Sequence, residues 1–459
     1  MKGAVFLLAG ISSAKRIDMT QGSIWKCMIS FAIPVFMGHL FQQLYNTADS
    51  IIVGNFVGKE ALAAVSSSGN LIFMMTGFFM GLCMGAGVII SRYLGAKNFE
   101  KMEKAVHTAV AFALCCGITL SVLGLWLAPK LLILMRTPEN VLPLSTTYFR
   151  IYFFGSFFTL TYNACAGILQ AVGDSKSPLR FLMIASVTNI VLDLLFVGLF
   201  DWGVAGAAVA TVISQMLSAT LGFTKLLRSE GHYQLHIKKI GFDFALLKEI
   251  LHQGIPTGVQ NSIISIANVV VQSNINAFGD NAMAGCGAYA KVEGFIFLPI
   301  MAFSNAITTF IGQNLGAREY DRALKGSRFG VICSMVSAET LGLILYAICP
   351  WVIPLFNSDP AVVEIGVNQM RTESLFFCAL AFAHSVSAVM RGAGKAKMPM
   401  YTMLLCWCII RVAYITVAVQ YFPVINTVYW AYPITWMLSC VIFLIYYLKG
   451  NWLHSFDYR

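Results

Sequence analysis

One feature limits this chain more than any other. Uninterrupted apolar runs of roughly 20 residues follow one another along its whole length, each bounded by a short polar stretch. A run of that length is what a helix needs to cross a ~30 Å hydrocarbon core at 1.5 Å per residue. Twelve such runs are found, at about 26–50, 60–90, 104–128, 142–170, 179–200, 204–224, 246–276, 282–312, 328–352, 362–390, 399–420 and 426–447. Within hydrocarbon the backbone must satisfy its own N–H and C=O groups, which leaves helices or closed barrels. No segment shows the ten-residue alternation of a membrane barrel. Composition agrees: 58% of residues are hydrophobic and 11% charged, with mean hydropathy +0.73, against about 25% charge in soluble domains. The expected fold class is an all-α polytopic membrane protein with twelve transmembrane helices.

The net charge of +10 is a topology signal and not a nucleic-acid footprint. With an even number of spans and an inward N-terminus, the basic residues sort by side. Inner loops hold eighteen Lys and Arg, among them Arg92, Lys176, Lys238, Arg318, Arg322 and Lys395, whereas outer loops hold Lys59, Lys130 and Arg136. This bias places both termini in the cytoplasm. The opening MKGAVFLLAGISSAKR imitates a signal peptide, but Met19 opens a tidy leader directly before the first span, and 1–23 reads as a cytoplasmic segment. The twelve cysteines fall mostly within apolar spans, with no CxxC pair and no Cys/His ligand spacing. They read as small buried hydrophobes.

Three blocks return at one offset of 221 residues: VGKEALAAV (57–65) as FGDNAMAGC (278–286), SRYLGAKNFEKM as GQNLGAREYDRA, and LQAVGDSKSP as MRGAGKAKMP. Ile33-Pro34 matches Ile255-Pro256 one residue out of step. The chain is therefore a duplication of six spans, and six being even, both halves have the same orientation. The expected organisation is an N-lobe at 24–224, a linker at 225–245, a C-lobe at 246–448 and a cytoplasmic tail at 449–459. Glycines 77, 81 and 85 form a small-xxx-small ridge, read as close helix packing with a hinge as the other reading.

Polar residues inside the spans carry the functional signal. Counting from loop charges at 1.5 Å per residue, Asn163, Asp193 and Thr211 lie ~20 Å above the inner side, and Asp49, counted down from the Gly54–Lys59 turn, reaches the same level. Asn189 sits one turn below Asp193 on the same face. Two carboxylates at one level in low dielectric do not both stay ionised without company, and a proton or an oxygen-liganded ion such as Na⁺ would relieve them. The other reading is a polar cluster that only glues helices together. The second half lacks this group: Asp49 maps to Val270 or Val271, Asp193 to Tyr414 and Asn163 to His384. It carries instead Lys291, Glu293, Glu339, Arg371, Glu373 and Arg411. Structural ion pairing, with Arg411 as a partner for Glu293, is the first reading there. A role in substrate or proton handling is the second. Arg150 and Arg371 coincide under the repeat and read as snorkelling anchors near the outer interface.

These residues and blocks resemble a known family. IPVFMGHLFQQLYNTADSIIVGNFVGKEALAAVS, SRYLGAKN, ILQAVGDSKSP, TNIVLDLLF and GVAGAAVATVIS are similar to the bacterial multidrug and toxic compound extrusion (MATE) transporters, and most to their DinF-like group. The resemblance runs from about Gly22 to Lys449. It implies two six-helix bundles in a V shape, alternating access, and exchange of H⁺ or Na⁺ for organic, often cationic amphiphiles across the bacterial inner membrane. It also implies a coupling-ion site on Asp49, Asn163, Asn189, Asp193 and Thr211, with the Ala207 backbone a further ligand. Na⁺ would fall to Asp49, Asn189, Asp193 and Thr211. The stretch after Ile255-Pro256 has no acid, unlike the NorM-like pattern, which puts a C-lobe cation site in doubt. Lys291, Glu293, His384 and Arg411 keep it open.

The expected function is cation-coupled export of small organic molecules by a monomer in contact with membrane lipid. No cofactor, nucleic-acid partner or enzymatic step is expected. The alternative is a flippase for a lipid-linked oligosaccharide, which would want a strongly basic cavity for a diphosphate, and here the N-terminal half is acidic. A prenyl-transfer enzyme would need clustered aspartates for Mg²⁺, and nucleotide-driven transport would need a GxxxxGK[ST] loop. The sequence shows neither.

Overall fold

The computed structural model describes residues 16–134, 139 and 141–456. Residues 1–15 of the signal-peptide-like opening, the outer-loop Arg136 and the last three residues of the tail lie outside the described residues. The first half contains α1 (Ile24–Phe56), α2 (Lys59–Gly95), α3 (Phe99–Leu134), α4 (Leu142–Phe154), α5 (Ser156–Ala171), α6 (Lys176–Asp193) and α7 (Gly203–Leu227). The second contains α8 (Phe244–Asn276), α9 (Asp280–Gly316), α10 (Tyr320–Val352), α11 (Pro360–Glu373), α12 (Phe377–Gly392), α13 (Lys397–Met403), α14 (Arg411–Tyr421) and α15 (Ile425–Lys449). They align into twelve rods. Gly155 divides the fourth into α4 and α5, and a 3₁₀ turn at Ser374–Phe376 divides the tenth into α11 and α12. π-Helical turns at Leu194–Leu199 and Leu404–Ile410 interrupt the fifth and eleventh. Among the described residues, ten rods are long and apolar enough to cross a membrane by length and composition. The fourth falls short because its pieces are 13 and 16 residues long. The seventh, α8, is diluted by Lys248, Glu249, His252, Gln253 and Gln260.

The duplication is visible in the backbone. After α2, Lys97 takes φ 54° and the Asn98 N–H donates to the Tyr93 carbonyl at 3.0 Å. After α9, Arg318 takes φ 61° and the Glu319 N–H donates to the Asn314 carbonyl at 2.8 Å. Both are left-handed caps that satisfy a carbonyl the helix leaves open. The breaks in the fourth and tenth rods match as well, and each is covered by a polar side chain. Ser121 and Ser156 share a 3.0 Å hydrogen bond beside the first, and the Glu339 carboxylate accepts the Cys378 N–H at 2.8 Å beside the second. Glu339 therefore supplies an acceptor to a helix start that has no partner of its own.

The chain forms two compact units, and they do not divide at the polar stretch between the halves. Unit 1 holds Ile33–Gly258 with the described residues before Met19, and unit 2 holds Met19–Ala32 with Val259 onward. Each division falls within one turn of a proline inside a helix, Pro34 in α1 and Pro256 in α8. Proline has no N–H to give, so the helical ladder is weakest there. In unit 2, Arg322 fixes the chain ahead of α1, donating to the carbonyls of Met19, Gln21 and Gly22 at 3.1, 2.8 and 2.7 Å. In unit 1, the stretch read as a linker is packed. Tyr233 and Leu235 are buried in the same apolar core as Ile89 and Val106. Lys239 pairs with Glu103 at 2.7 Å, and the His236 N–H donates to His107 Nε2 at 3.0 Å.

The glycine ridge is a contact surface. Gly81 and Gly85 of α2 meet Gly254 and Gly258 in the first half of α8, all within unit 1. A methyl added at Gly85 would sit 2.5 Å from the Gly254 nitrogen, and one at Gly254 would sit 2.8 Å from the Leu82 Cα. Backbone stands on both sides, so no side chain can swing away. Gly85→Ala and Gly254→Ala are expected to destabilise by about 1–3 kcal/mol through overpacking, outweighing the ~1 kcal/mol that Ala gains over Gly in a helix. Gly87→Ala is the control, because its added carbon would meet only the Gly167 carbonyl at 3.6 Å. Thermal unfolding of the purified protein in detergent checks this, and equal behaviour of all three variants would contradict it.

Candidate functional site

Unit 1 buries carboxylates in an apolar setting. Asp49 lies on α1 and is 8% exposed, and Asp193 closes α6 with no exposure at all. Asn189, one turn before Asp193, is 1% exposed. Val53, Tyr148, Phe153, Leu160, Val197 and Ala208 belong to one buried apolar core of this unit. Asp193 and Asp49 lie within electrostatic reach of each other, and both reach Tyr148. Among the described residues, five buried atoms of the group find no hydrogen-bond partner: Asp49 Oδ1, both Asp193 oxygens, and the Asn189 oxygen and nitrogen. Buried polar groups are almost always paired, and an orphan costs ~1–3 kcal/mol, more when charged. The π-helical turn directly after Asp193 aims the end of α6 differently from a regular helix, as π-bulges at functional sites do.

The other residues singled out in this half divide. Thr211, 8% exposed on α7, donates its hydroxyl to the Ala207 carbonyl at 3.1 Å. The Asn163 amide donates to the Thr159 carbonyl at 2.8 Å, which leaves its oxygen for another partner. Sequence reasoning passed over Gln42 and Tyr45. Tyr45 hydrogen-bonds Gln42 of its own helix and Gln215 of α7, and lies within reach of Asp49. The signal was there, since 42, 45 and 49 recur at helical spacing on one face of α1.

Unit 2 has a polar centre of different make-up. The Tyr289 hydroxyl and the Gln369 amide donate to the two Glu373 oxygens at 2.7 and 2.8 Å, and Glu373 is fully buried. Glu293 faces the same carboxylate electrostatically. Arg411, 2% exposed, donates from Nε and Nη2 to the Thr435 hydroxyl at 3.1 and 2.9 Å and lies 4.4 Å over the Tyr432 ring. The expected Arg411–Glu293 ion pair is therefore corrected. Among the described residues no contact within 4.0 Å joins them, because the guanidinium is turned onto Thr435 and Tyr432. Lys291 is exposed, and two residues from Glu293 it does not share that side chain's helix face. His384 stands edge-on to Trp407 at 5.3 Å and Phe297 at 5.7 Å, its Nε2 buried without a partner. Glu373 takes the central place that sequence reasoning gave to Glu293. Only packing against Tyr289 and Gln369 shows it.

The MatE family model matches twice, over residues 34–195 and 256–417. The matches begin at Pro34 and Pro256. The chain belongs to the MATE family. It is 28% identical over 403 residues to the probable multidrug resistance protein YpnP of Bacillus subtilis, covering 86% of this chain and 89% of that protein. It is 28% identical over 438 residues to YoeA, another probable multidrug resistance protein of Bacillus subtilis, covering 93% and 94%. Its fold matches a solved outward-facing conformation of a multidrug resistance MATE family transporter of the MOP superfamily, with TM-score 0.91 at 23% identity, over 96% of this chain and 99% of that one. This MATE chain is thus a multi-pass membrane transporter built on the family's twelve-helix fold.

The unit 2 centre generates a test of its own. Among the described residues Arg411 lies within electrostatic reach of both the buried Glu373 and the half-buried Glu293, and Arg411→Leu, which leaves these acids without it, should cost about 3–5 kcal/mol. Thr435→Val removes only a hydrogen-bond partner, at about 1 kcal/mol. Glu373→Gln should recover part of the Arg411→Leu loss in the double variant, a coupling that unfolding experiments on the four proteins measure.

Proposed function

We propose that this MATE protein is an antiporter that exports organic cations in exchange for H⁺ or Na⁺ taken up at Asp49 and Asp193. The observation that carries this reading is the set of five buried, unpartnered atoms on Asp49, Asn189 and Asp193. Two carboxylates, two amides, a hydroxyl and a carbonyl make an oxygen-rich donor set that suits a hard monovalent cation, and either carboxylate can accept a proton instead. Protonating or metallating the pair removes the electrostatic conflict between Asp49 and Asp193. A cationic substrate favours the charged pair, so ion and substrate oppose each other through one conformational equilibrium. The coupling is reciprocal: a tenfold weakening of one by the other is about 1.4 kcal/mol in both directions. The names of YpnP and YoeA support export of drugs as the physiological direction. An acidic centre suits cationic amphiphiles better than the diphosphate of a lipid-linked sugar.

Asp49→Asn and Asp193→Asn are expected to reduce gradient-driven efflux at least tenfold while leaving the unfolding temperature unchanged or raised, since a neutral amide is cheaper to bury than a charge. Efflux from proteoliposomes with H⁺ and Na⁺ gradients imposed separately reads the result and names the ion. Wild-type accumulation by Asp49→Asn would show that the carboxylate is only helix glue.

We place both termini on the cytoplasmic side of a bacterial inner membrane, on the strength of the basic loops. A cysteine at the exposed Lys238, introduced where the native cysteines have been replaced, should react with an impermeant maleimide in inverted vesicles and not in intact cells. Labelling from outside would reverse the topology.

A further inference from the structure

Unit 2 carries a groove that the buried acids do not use. Asp359 caps α11, its carboxylate accepting the Ala361 N–H at 2.9 Å, and fixes where the rod begins. Along that rod Asn368, Arg371, Thr372 and Leu375 recur at i, i+3, i+4 and i+7, so they share one face. Asn426 and Trp430, four apart, face them from the first turns of α15. Between the two rods lies a groove of about 420 Å³.

The groove has an ordered polarity. At 1.5 Å per residue Trp430 lies ~6 Å further into the bundle than Asn426, and Leu375 the same distance beyond Arg371. Its mouth therefore offers a guanidinium, two amides and a hydroxyl, and its depth offers an indole and an alkyl chain. Trp430 and Leu375 are 46% and 48% exposed, and Phe376 meets the indole edge-on at 5.9 Å. Arg371 is exposed and lies 5.7 Å over the Tyr346 ring. Among the described residues no carboxylate comes within ion-pair distance of it. A cation with no described carboxylate in ion-pair distance thus stands at the mouth of an apolar trough that starts at the end of a membrane rod.

We propose that this groove binds a membrane phospholipid, with the phosphodiester on Arg371 between Asn368 and Asn426, and the first carbons of an acyl chain on Leu375 and Trp430. The guanidinium fork matches two phosphodiester oxygens, and amide N–H groups can serve the rest. Trp at this level is favoured, because its ring is apolar and its N–H stays near the headgroups. A snorkelling anchor alone makes a different statement: Arg150, exposed at the matching position of α4, should then behave as Arg371 does.

Native mass spectrometry of the purified protein, delipidated and titrated with dioleoyl phosphatidylglycerol, tests this. The expected result is one tightly held lipid, retained at least tenfold better than dioleoylglycerol, which lacks the phosphate, and not displaced by millimolar inorganic phosphate. Arg371→Gln should lose at least tenfold in retention, with Arg150→Gln unchanged. In the wild type, a phosphatidylglycerol brominated near the head of its acyl chains should quench indole fluorescence, and Trp430→Phe should lose most of that quenching. Equal retention of dioleoylglycerol, displacement by phosphate, equal effects of the two arginine substitutions, or unchanged quenching in Trp430→Phe would each overturn the proposal.

Discussion

A carboxylate in an apolar bundle is stable only if something answers its charge, and among the described residues of unit 1 Asp193 has no hydrogen-bond donor. Most of what surrounds it follows from that constraint. The amide of Asn189 is one turn away with both its own atoms open. Asp49 comes in from another helix as a second acid instead of a base. An ion or proton taken up there, as proposed above, would supply the missing partner.

Unit 2 solves the same problem the opposite way. Glu373 is answered by Tyr289 and Gln369, and Arg411 stands near enough to offset both acids while its own donors go to Thr435. The duplication thus kept the framework and changed the chemistry. Backbone caps at Lys97 and Arg318 are almost superimposable in their hydrogen bonding, yet the polar centres share no residue type at matched positions. Where unit 1 leaves donors missing, unit 2 supplies them. This is why the first carries the transport reading.

The amino-acid sequence exposes what depends on period and charge. Twelve apolar runs, the 221-residue offset and the inward-facing basic loops are one-dimensional signals. The level shared by Asp49, Asp193, Asn163 and Thr211 follows from counting along straight helices. Contacts between rods are not one-dimensional. Glu373 stood in the sequence as one charge among several, and only its burial against Tyr289 singles it out. Arg411 was given the wrong partner because a charge pair is the obvious choice, while the geometry offered a hydroxyl and a ring. The basic stretch after α7 read as a tether, yet its alternating Tyr233 and Leu235 point into the core, a period-2 signal hidden among lysines. The exchange of half-helices at Pro34 and Pro256 was also invisible, because a proline marks where a ladder weakens and does not say which neighbours each half will choose.

That exchange bears on the order in which the molecule can be built. The first described helix starts at Ile24 and buries Met28 and Phe31 fully, and Met28 stands against Gly330 of the second half. The carbonyl of Gly22 waits for Arg322, 300 residues further on. At ordinary rates of synthesis that is a delay of roughly 15–60 s. During this time the first turns of α1 lack these packing partners. Unit 2 can close only when Met19–Ala32 meets the residues from Val259 onward.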